Sequence, residues 1–587
     1  MKNILSIICL LLVSTTLWAE PIGEQRAREI AEEFFAQHST RAFMGDISLK
    51  WAGDNISEDS ATGNQLNTSL MYIYNRGNDA GFVIVAGDTN VTPIIAYSLD
   101  TTLDTDNMAE ATAAILDAWC RQVENARETA KPISGTTMRA ATRSNDAIRY
   151  ETAVWNQGAP FNNEAPVIDN NRAVTGCVAT AMSIICHYNR WPEKGVGTTP
   201  AYSYTDIYGY TRNVAANTLG RKYDYDNMLM NYNDGYTAVQ GNAVSALMKD
   251  MGTSVKMMYH YNSSGAYDQD VVAAFTKYFS YSKGIQLAHG NSYSAEDWNN
   301  IIRENLRKYG PTYFSGSSNS GGHAFVVDGF DSGDYFHFNF GWGGVGNGYF
   351  LIPSIDYYMS QCAILYLEPD KNGTSKYRDN IQLYALYSNG EPLFTGINSF
   401  ATSYATGETF ECILGGFANF GSETFNGTIK LVLCDRNGNW KEELYSGNYN
   451  IEPGYYSYYN YYVYPTITST LEEGDRLRIY YKSYNFDEWQ WARSYKSSET
   501  VDEVLVMGSP EDMAEGFYFK YDKDENKLYI GNKHAMNLNV YNDETNNWVG
   551  GGEFTFNFTG VLEDLPSGTY RIETSLGSEP YVLIVKL

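Results

Sequence analysis

Apolar residues recur every third and fourth position in some stretches of this chain and every second position in others, the periods of helix and strand. In residues 24–37, Ile30, Ala31, Phe34 and Phe35 fall on one helical face, and a second helix fits residues 109–130. Short apolar runs between them, at 70–74, 81–87 and 94–97, read as strands, so the first part is a small α+β unit. Residues 131–146 have no apolar period and are rich in Ser, Thr, Ala and Arg, the composition of an exposed linker. Arg139 and Arg143 within it, and Arg149 just after it, offer basic cleavage points. Beyond it, Val178, Ala181, Met182 and Ile185 mark the apolar face of a helix that Trp191-Pro192 stops. Further helices are predicted over 242–251, with Gly252 as C-cap, and over 294–309, ended by Gly310-Pro311. Strands follow at 312–314, 323–329, 335–340 and 349–352. Helices first and antiparallel strands second imply a domain with a helical half, a sheet half and a cleft between them.

From Tyr377 onward the pattern is all strand and turn, punctuated by Gly415-Gly416, Asn437-Gly438 and Pro453-Gly454. The predicted class is multidomain. A segment at 1–19 is followed by an α+β leader at 20–143 and an α+β domain with a cleft at 144–369. An Ig-like β-sandwich at 370–503 and a C-terminal β domain at 504–587 complete it. The run of tyrosines from Tyr455 to Tyr464 reads as one strand, core on one side and edge on the other, with sugar or partner contact as the alternative.

Charge and termini narrow the picture. A net charge of −27 argues against nucleic acid and anionic membrane surfaces as partners. Lys2, the apolar run 4–13 and Leu17-Trp18-Ala19 have the layout of a signal peptide, which predicts a secreted or cell-surface protein. That run is too short to span a bilayer and no other stretch is long enough, so no transmembrane segment is expected. Apart from Cys9, the cysteines are sparse and lack any CxxC, which predicts neither a disulfide framework nor a zinc site; no metal and no cofactor is implied.

One of those cysteines carries chemistry. Gly176 puts Cys177 in the first turn of its helix, where the dipole and unpaired N–H groups favour the thiolate, the nucleophilic form. The bland alternative is a small buried hydrophobe. A thiolate nucleophile needs a base. His187 lies too far along the same helix, and His260 and His289 read as surface residues in polar segments. His323 opens a strand after Gly321-Gly322, at the separation of about 130–150 residues that papain-like enzymes keep between Cys and His. In the next strand Phe336, Phe338 and Phe340 alternate with Tyr335, His337 and Asn339. Asn339 is expected to reach His323 across the strands and fix its ring by accepting an imidazole N–H, with His337 as the rival base. Trp342 is placed to shield that bond. Gln157, ahead of Cys177, would complete an oxyanion hole with the Cys177 N–H.

Together Trp155-Asn-Gln157, Thr175-Gly-Cys-Val-Ala-Thr-Ala181, Gly322-His-Ala-Phe-Val326 and His337-Phe-Asn-Phe-Gly-Trp-Gly-Gly344 resemble the streptopain family of secreted bacterial cysteine peptidases. The leader, including Gly81-Phe-Val-Ile-Val-Ala-Gly-Asp88, is similar to that family's propeptide, and the likeness extends over about residues 21–369. It implies a papain-like fold, protein or peptide substrates, and a zymogen whose own propeptide is its inhibitor. By motif, Cys177 is nucleophile, His323 base, Gln157 oxyanion donor, and Asn339 with Trp342 the supporting pair. Phe340 stands where streptopain has a tryptophan, and the long glycine-rich loop of its catalytic domain is missing after Ile352. The β tail is similar to extended family members of Bacteroidetes-type bacteria. Two other readings stand beside the endopeptidase: a surface adhesin or carbohydrate-binding protein with an inert peptidase unit, and an acyl-transferase or amidase using the same Cys–His pair.

Overall fold

The computed structural model describes residues 21–586 except 39–45, 53–68, 78–79, 106–109, 130–146, 207, 319–320, 353–358, 389–390, 400–402, 405–408, 455–460, 473, 495–502, 509–516, 523–526, 533–535, 555–558, 564–565, 567 and 577–578. The signal-like segment, the basic linker with Arg139 and Arg143, and most of the tyrosine run therefore lie outside the described residues. The rest divides into two compact units, one running to Ser280 and resuming at Ser294–Pro369, the other made of Tyr281–Tyr293 and the chain from Asp370 onward.

The first unit opens with helix α1 (Glu24–His38) and the antiparallel strands β1 (Ile47–Ala52), β2 (Met71–Arg76), β3 (Phe82–Ala86) and β4 (Ile94–Ser98). Ala27, Ala31, Phe34 and Phe35 of α1 pack on Tyr72, Tyr74, Val83 and Val85, which share one face of the strands. Helix α2 (Glu110–Thr129) follows. After the linker come the short β5 (Ile148–Arg149) and the helices α3 (Cys177–Asn189), α4 (Ala238–Ser254), α5 (Asp268–Tyr278) and α6 (Ala295–Tyr309). Strands β6 (Thr312–Ser318), β7 (Gly321–Phe330), β8 (Tyr335–Asn339), β9 (Gly348–Leu351) and β10 (Met359–Leu365) then form an antiparallel sheet in the order β9-β8-β7-β6-β10. Helical half and sheet half are both present, as expected of a papain-like domain.

The leader sheet is continuous with this one. β4 pairs with β9, placing Tyr97 opposite Tyr349 and Ala96 opposite Phe350. The indole N–H of Trp119 in α2 donates to the Leu351 carbonyl at 3.2 Å, and Thr101 Oγ1 donates to the Asn347 carbonyl at 2.8 Å.

Helix α3 is the axis of the helical half. Every residue from Val178 to His187 is buried, so the helix is enclosed on all sides rather than on a single stripe. It ends at Asn189, and Arg190 caps it in the left-handed conformation, φ 46°. Two details correct the sequence reading. Gly252 is not a C-cap; it lies inside α4, where an added Cβ would sit 2.2 Å from the Tyr259 hydroxyl, so only glycine admits that ring. Helix α5 was not predicted, although Val271, Val272, Phe275 and Tyr278 are buried at helical spacing.

In the second unit, the strands Phe425–Cys434, Trp440–Ile451 and Arg476–Ser483 face a second set that includes Ile381–Ser388, Cys412–Leu414 and Gly416–Asn419. Leu383, Leu414, Phe417, Ile429, Leu431 and Ile479 meet in one core between them. Further strands continue to Glu579–Lys586. The excursion Tyr281–Tyr293 belongs here, held by bonds such as Asn380 Nδ2 to the Leu287 carbonyl at 3.0 Å. Cys412 and Cys434 are buried free thiols, and burial pushes the Cys412 thiol up to about 12.

Candidate active site

Cys177 is the first residue of α3. Gly176 before it has φ 84° and ψ 142°, and a Cβ there would lie 2.6 Å from the Met257 sulfur, so the position demands glycine. No side chain caps the helix, which leaves first-turn N–H groups directed at whatever binds beside the thiol. The segment before Cys177 is clamped on both sides. The Thr175 N–H donates to the Gln157 carbonyl at 3.1 Å, the Val174 N–H donates to the His260 carbonyl at 3.1 Å, and Ser264 Oγ donates to the Val174 carbonyl at 2.8 Å.

The Trp155-Asn156-Gln157 segment is braced in turn. Trp155 donates its indole N–H to the Leu229 carbonyl at 2.7 Å, and its own carbonyl accepts the Gly343 N–H at 2.8 Å. Asn156 Oδ1 accepts the Gln157 N–H at 2.7 Å. Gln157 is buried and lines the same cleft as Cys177.

His323 stands on β7, 5% exposed. Its Nε2 lies 2.8 Å from the Phe340 carbonyl. A carbonyl only accepts, so Nε2 carries the proton and Nδ1 keeps its lone pair. The ring lies parallel to the indole of Trp342, with centroids 5.7 Å apart and planes 16° from parallel. Burial pushes the imidazole down to about 4, an effect the Phe340 carbonyl partly offsets.

Asn339 does not contact His323, contrary to expectation. Its Nδ2 donates to Thr152 Oγ1 at 2.9 Å and to the Ala153 carbonyl at 3.0 Å, while its Oδ1 accepts the Gly341 N–H at 3.2 Å. The register gives the reason. Asn339 is paired with Val326, an odd number of residues from His323, and directly opposed residues in an antiparallel pair share a face. Asn339 and His323 therefore point to opposite faces, and the backbone carbonyl of the next residue, Phe340, reaches the ring instead. Phe340 itself packs against Phe325 and Phe350 in the core.

The rival base is also removed from the cleft. His337 Nδ1 lies 2.6 Å from Oδ1 of the fully buried Asp328, whose other oxygen meets Arg149 Nη1 at 2.9 Å and the Thr152 hydroxyl. Arg149 also sits in β5, paired with Gly329 of β7. His187 is buried against Trp155 with its Nε2 3.2 Å from the Met228 carbonyl. His260 and His289, expected at the surface, are both buried. His260 stacks on Tyr261 and supports the 260–265 segment, and His289 packs on Phe420 in the second unit.

Gln157, Cys177, His323 and Trp342 thus line one cleft of about 260 Å³, which neither Asn339 nor His337 lines. Residues 262–266, Asp268, Ser315 and Ser360 share it. None of this second group was singled out from sequence. The one available signal was Ser263-Ser264-Gly265, a turn-prone run shortly before the helical period of α5. Among the described residues, no group of His, Cys, Asp and Glu is placed to hold a metal ion.

The family model of the peptidase C10 family matches residues 155–350, and that of the Spi protease inhibitor matches residues 19–123. Streptopain of Streptococcus pyogenes is 31% identical over 341 residues, which are 55% of this chain and 84% of streptopain. The chain belongs to the peptidase C10 family. That membership bears out the expected cysteine-type endopeptidase class, with an inhibitor-like leader domain ahead of the C10 domain. Another relative, the thiol protease/hemagglutinin PrtT of Porphyromonas gingivalis, is 31% identical over 355 residues, 58% of this chain. The chain spans only 40% of that relative's length. Two solved structures are also similar. A prointerpain A fragment of Prevotella intermedia is 24% identical, with 56% of this chain and 99% of that one covered at a TM-score of 0.45. Active interpain A of the same organism is 29% identical, with 40% and 96% covered at a TM-score of 0.34.

Proposed function

We propose that this chain is a secreted cysteine endopeptidase made as a zymogen, with Cys177 as nucleophile, His323 as base, and Gln157 with the Cys177 N–H as oxyanion hole. The reading rests on one observation above all: a thiol at an uncapped helix N-terminus and an imidazole with its Nδ1 lone pair unused line the same cleft. Nδ1 takes the thiol proton, and the thiolate attacks the peptide carbonyl. Charge developing on the carbonyl oxygen is met by the Cys177 N–H and the Gln157 side chain. His323 then hands its proton to the leaving amine, and water hydrolyses the thioester. Trp342 covers the ring and keeps water from its bond to Phe340. Asn339 serves at one remove, holding Gly341 and hence the turn that carries the Phe340 carbonyl and Trp342.

The leader is read as the inhibitor of this site. Its described residues grip β9 and Asn347, just beyond Trp342, rather than filling the cleft. Cleavage within residues 130–146 would free it. Arg149 is a poor cleavage point, because it is strand-paired and bonded to Asp328. The domain limits at 19, 143, 369 and 503, the signal peptide, secretion and the Ig-like character of the tail belong to the same proposal.

The test is mass spectrometry of purified wild-type and Cys177→Ala protein during incubation, alongside a peptide hydrolysis assay. The wild type is expected to hydrolyse peptides and to shorten by its leader, with a new N-terminus between residues 131 and 147. Cys177→Ala is expected to do neither. Peptide hydrolysis by Cys177→Ala would overturn the assignment, and a dominant transfer product with an added amine would favour the acyl-transferase reading.

A further inference from the structure

The cleft beside Cys177 holds a carboxylate that has no counter-ion. Asp268, at the start of α5, lines it together with Ser315, Ser317, Ser360 and Asn262. Among the described lining residues Asp268 is the only acidic side chain, and none is Lys or Arg. Its oxygens accept from the Tyr313 hydroxyl and from Ser315 Oγ at 2.9 Å, and the Cys362 thiol is a further neutral partner. No described Lys or Arg makes an ion pair with it. Removal from water disfavours its charged form and raises its pKa. The group is also close to the reacting atoms. Ser315 is paired with Ala324, the neighbour of His323, and Tyr313 lies within electrostatic reach of Cys177.

Peptide-binding pockets are usually lined by apolar side chains with a few polar ones. Here a carboxylate, serine hydroxyls and the Asn262 amide share the cleft with Val178, Ala266, Ala324 and Trp342, so an ammonium or guanidinium finds several acceptors while its apolar stem packs on the wall. We infer that Asp268 forms the floor of a specificity subsite for a basic side chain, so that the substrate peptide carries Lys or Arg within two residues of the scissile bond. The substrate itself supplies the missing counter-ion, and a cationic side chain in the complex favours the ionised carboxylate that its surroundings disfavour in the free enzyme. This rests on the endopeptidase reading and adds a substrate class to it.

The test uses the full chain after its own processing. Lys, norleucine and Glu are placed in turn at each of the two positions on either side of the cleaved bond, and kcat/KM is compared. At one position Lys is expected to exceed norleucine by about tenfold or more, with Glu the poorest. In Asp268→Asn, which removes the charge but keeps one acceptor oxygen for Tyr313 or Ser315, the Lys-to-norleucine ratio at that position is expected to fall to about one. A flat ranking in the wild type at all four positions would overturn the subsite whatever the variant does. So would a Lys preference that survives in Asp268→Asn. Binding of labelled Lys and norleucine peptides to Cys177→Ala, with and without Asp268→Asn, separates the two readings. If the wild type cuts nothing but Cys177→Ala binds the Lys peptide more tightly through Asp268, the peptidase reading falls and the subsite stands. If the wild type cuts peptides without regard to Lys, the reverse holds.

Discussion

His323 is held neutral by burial, and that has a sign that can be measured. An imidazole that titrates at about 4 in the folded chain and near 6.5 when unfolded binds more protons in the unfolded state between those values. Stability contributed by the neutral ring is therefore present above pH 6.5 and lost as pH falls toward 4, by about 3 kcal/mol. The thermal midpoint of His323→Gln is expected to drop less between pH 6.5 and 4 than that of the wild type; parallel curves would contradict a buried neutral ring. His187 and His289 are lowered by burial as well, so some slope remains. Hydrolysis is expected to fail as pH drops through about 4, where the base becomes protonated. Asn339 offers a second residue-scale test. Asn339→Ala removes three hydrogen bonds around the 339–341 turn and is expected to cost about 1–3 kcal/mol of stability. Because the Phe340 carbonyl holds the ring, the His323 titration followed by NMR should stay well below the ordinary imidazole range. A shift back to that range would restore the direct role expected from sequence.

At the scale of elements, the start of α3 decides whether Cys177 is presented at all. Gly176→Ala places a Cβ against Met257 in a backbone region that is almost closed to other residues. We expect a loss of about 1–3 kcal/mol in stability and a slower alkylation of Cys177 by iodoacetamide. Unchanged alkylation and melting would mean that the Gly176 geometry is not required. Helix α5 shows how an element contributes by its end rather than its face. Its buried Val271, Val272 and Phe275 fix it in the core, and that packing sets Asp268 at the cleft.

For the whole first unit, one sheet joins the leader to the C10 domain, and the zymogen proposal can be tested at that junction. Trp119 is buried and bonded to the Leu351 carbonyl, so Trp119→Ala is expected to weaken leader docking by about 3 kcal/mol or more. Faster leader loss and earlier hydrolytic activity should follow, read by gel and peptide assay. Trp119→Ala on a Cys177→Ala background should stay unprocessed, which separates self-cleavage from a contaminating protease. In the second unit, Trp440, Tyr462 and Tyr464 are exposed aromatic residues, the feature that a glycan-binding reading of the tail would use. No helix among the described residues is long and apolar enough to cross a membrane.

The period of the apolar residues was enough to place α1, α3 and α6 and the strands around His323, because those elements bury one regular face against a core. The Gly-Cys at a helix start, the Gly-Gly-His before a strand and the Gln upstream were legible as chemistry because each is a local pattern tied to a backbone requirement. Which partner meets the His323 ring was not legible. It depends on the register between β7 and β8, where a shift of one residue exchanges the faces, and periodicity within a single strand carries no register. The burial of His260 and His289, the position of Gly252 inside α4 and the arrival of Asp268 beside Cys177 were likewise settled by packing between segments distant in the chain. The sequence by itself determined the kinds of elements and the candidate groups; only the tertiary structure decided which side chains share the cleft, because strand register and helix docking are properties of pairs of segments.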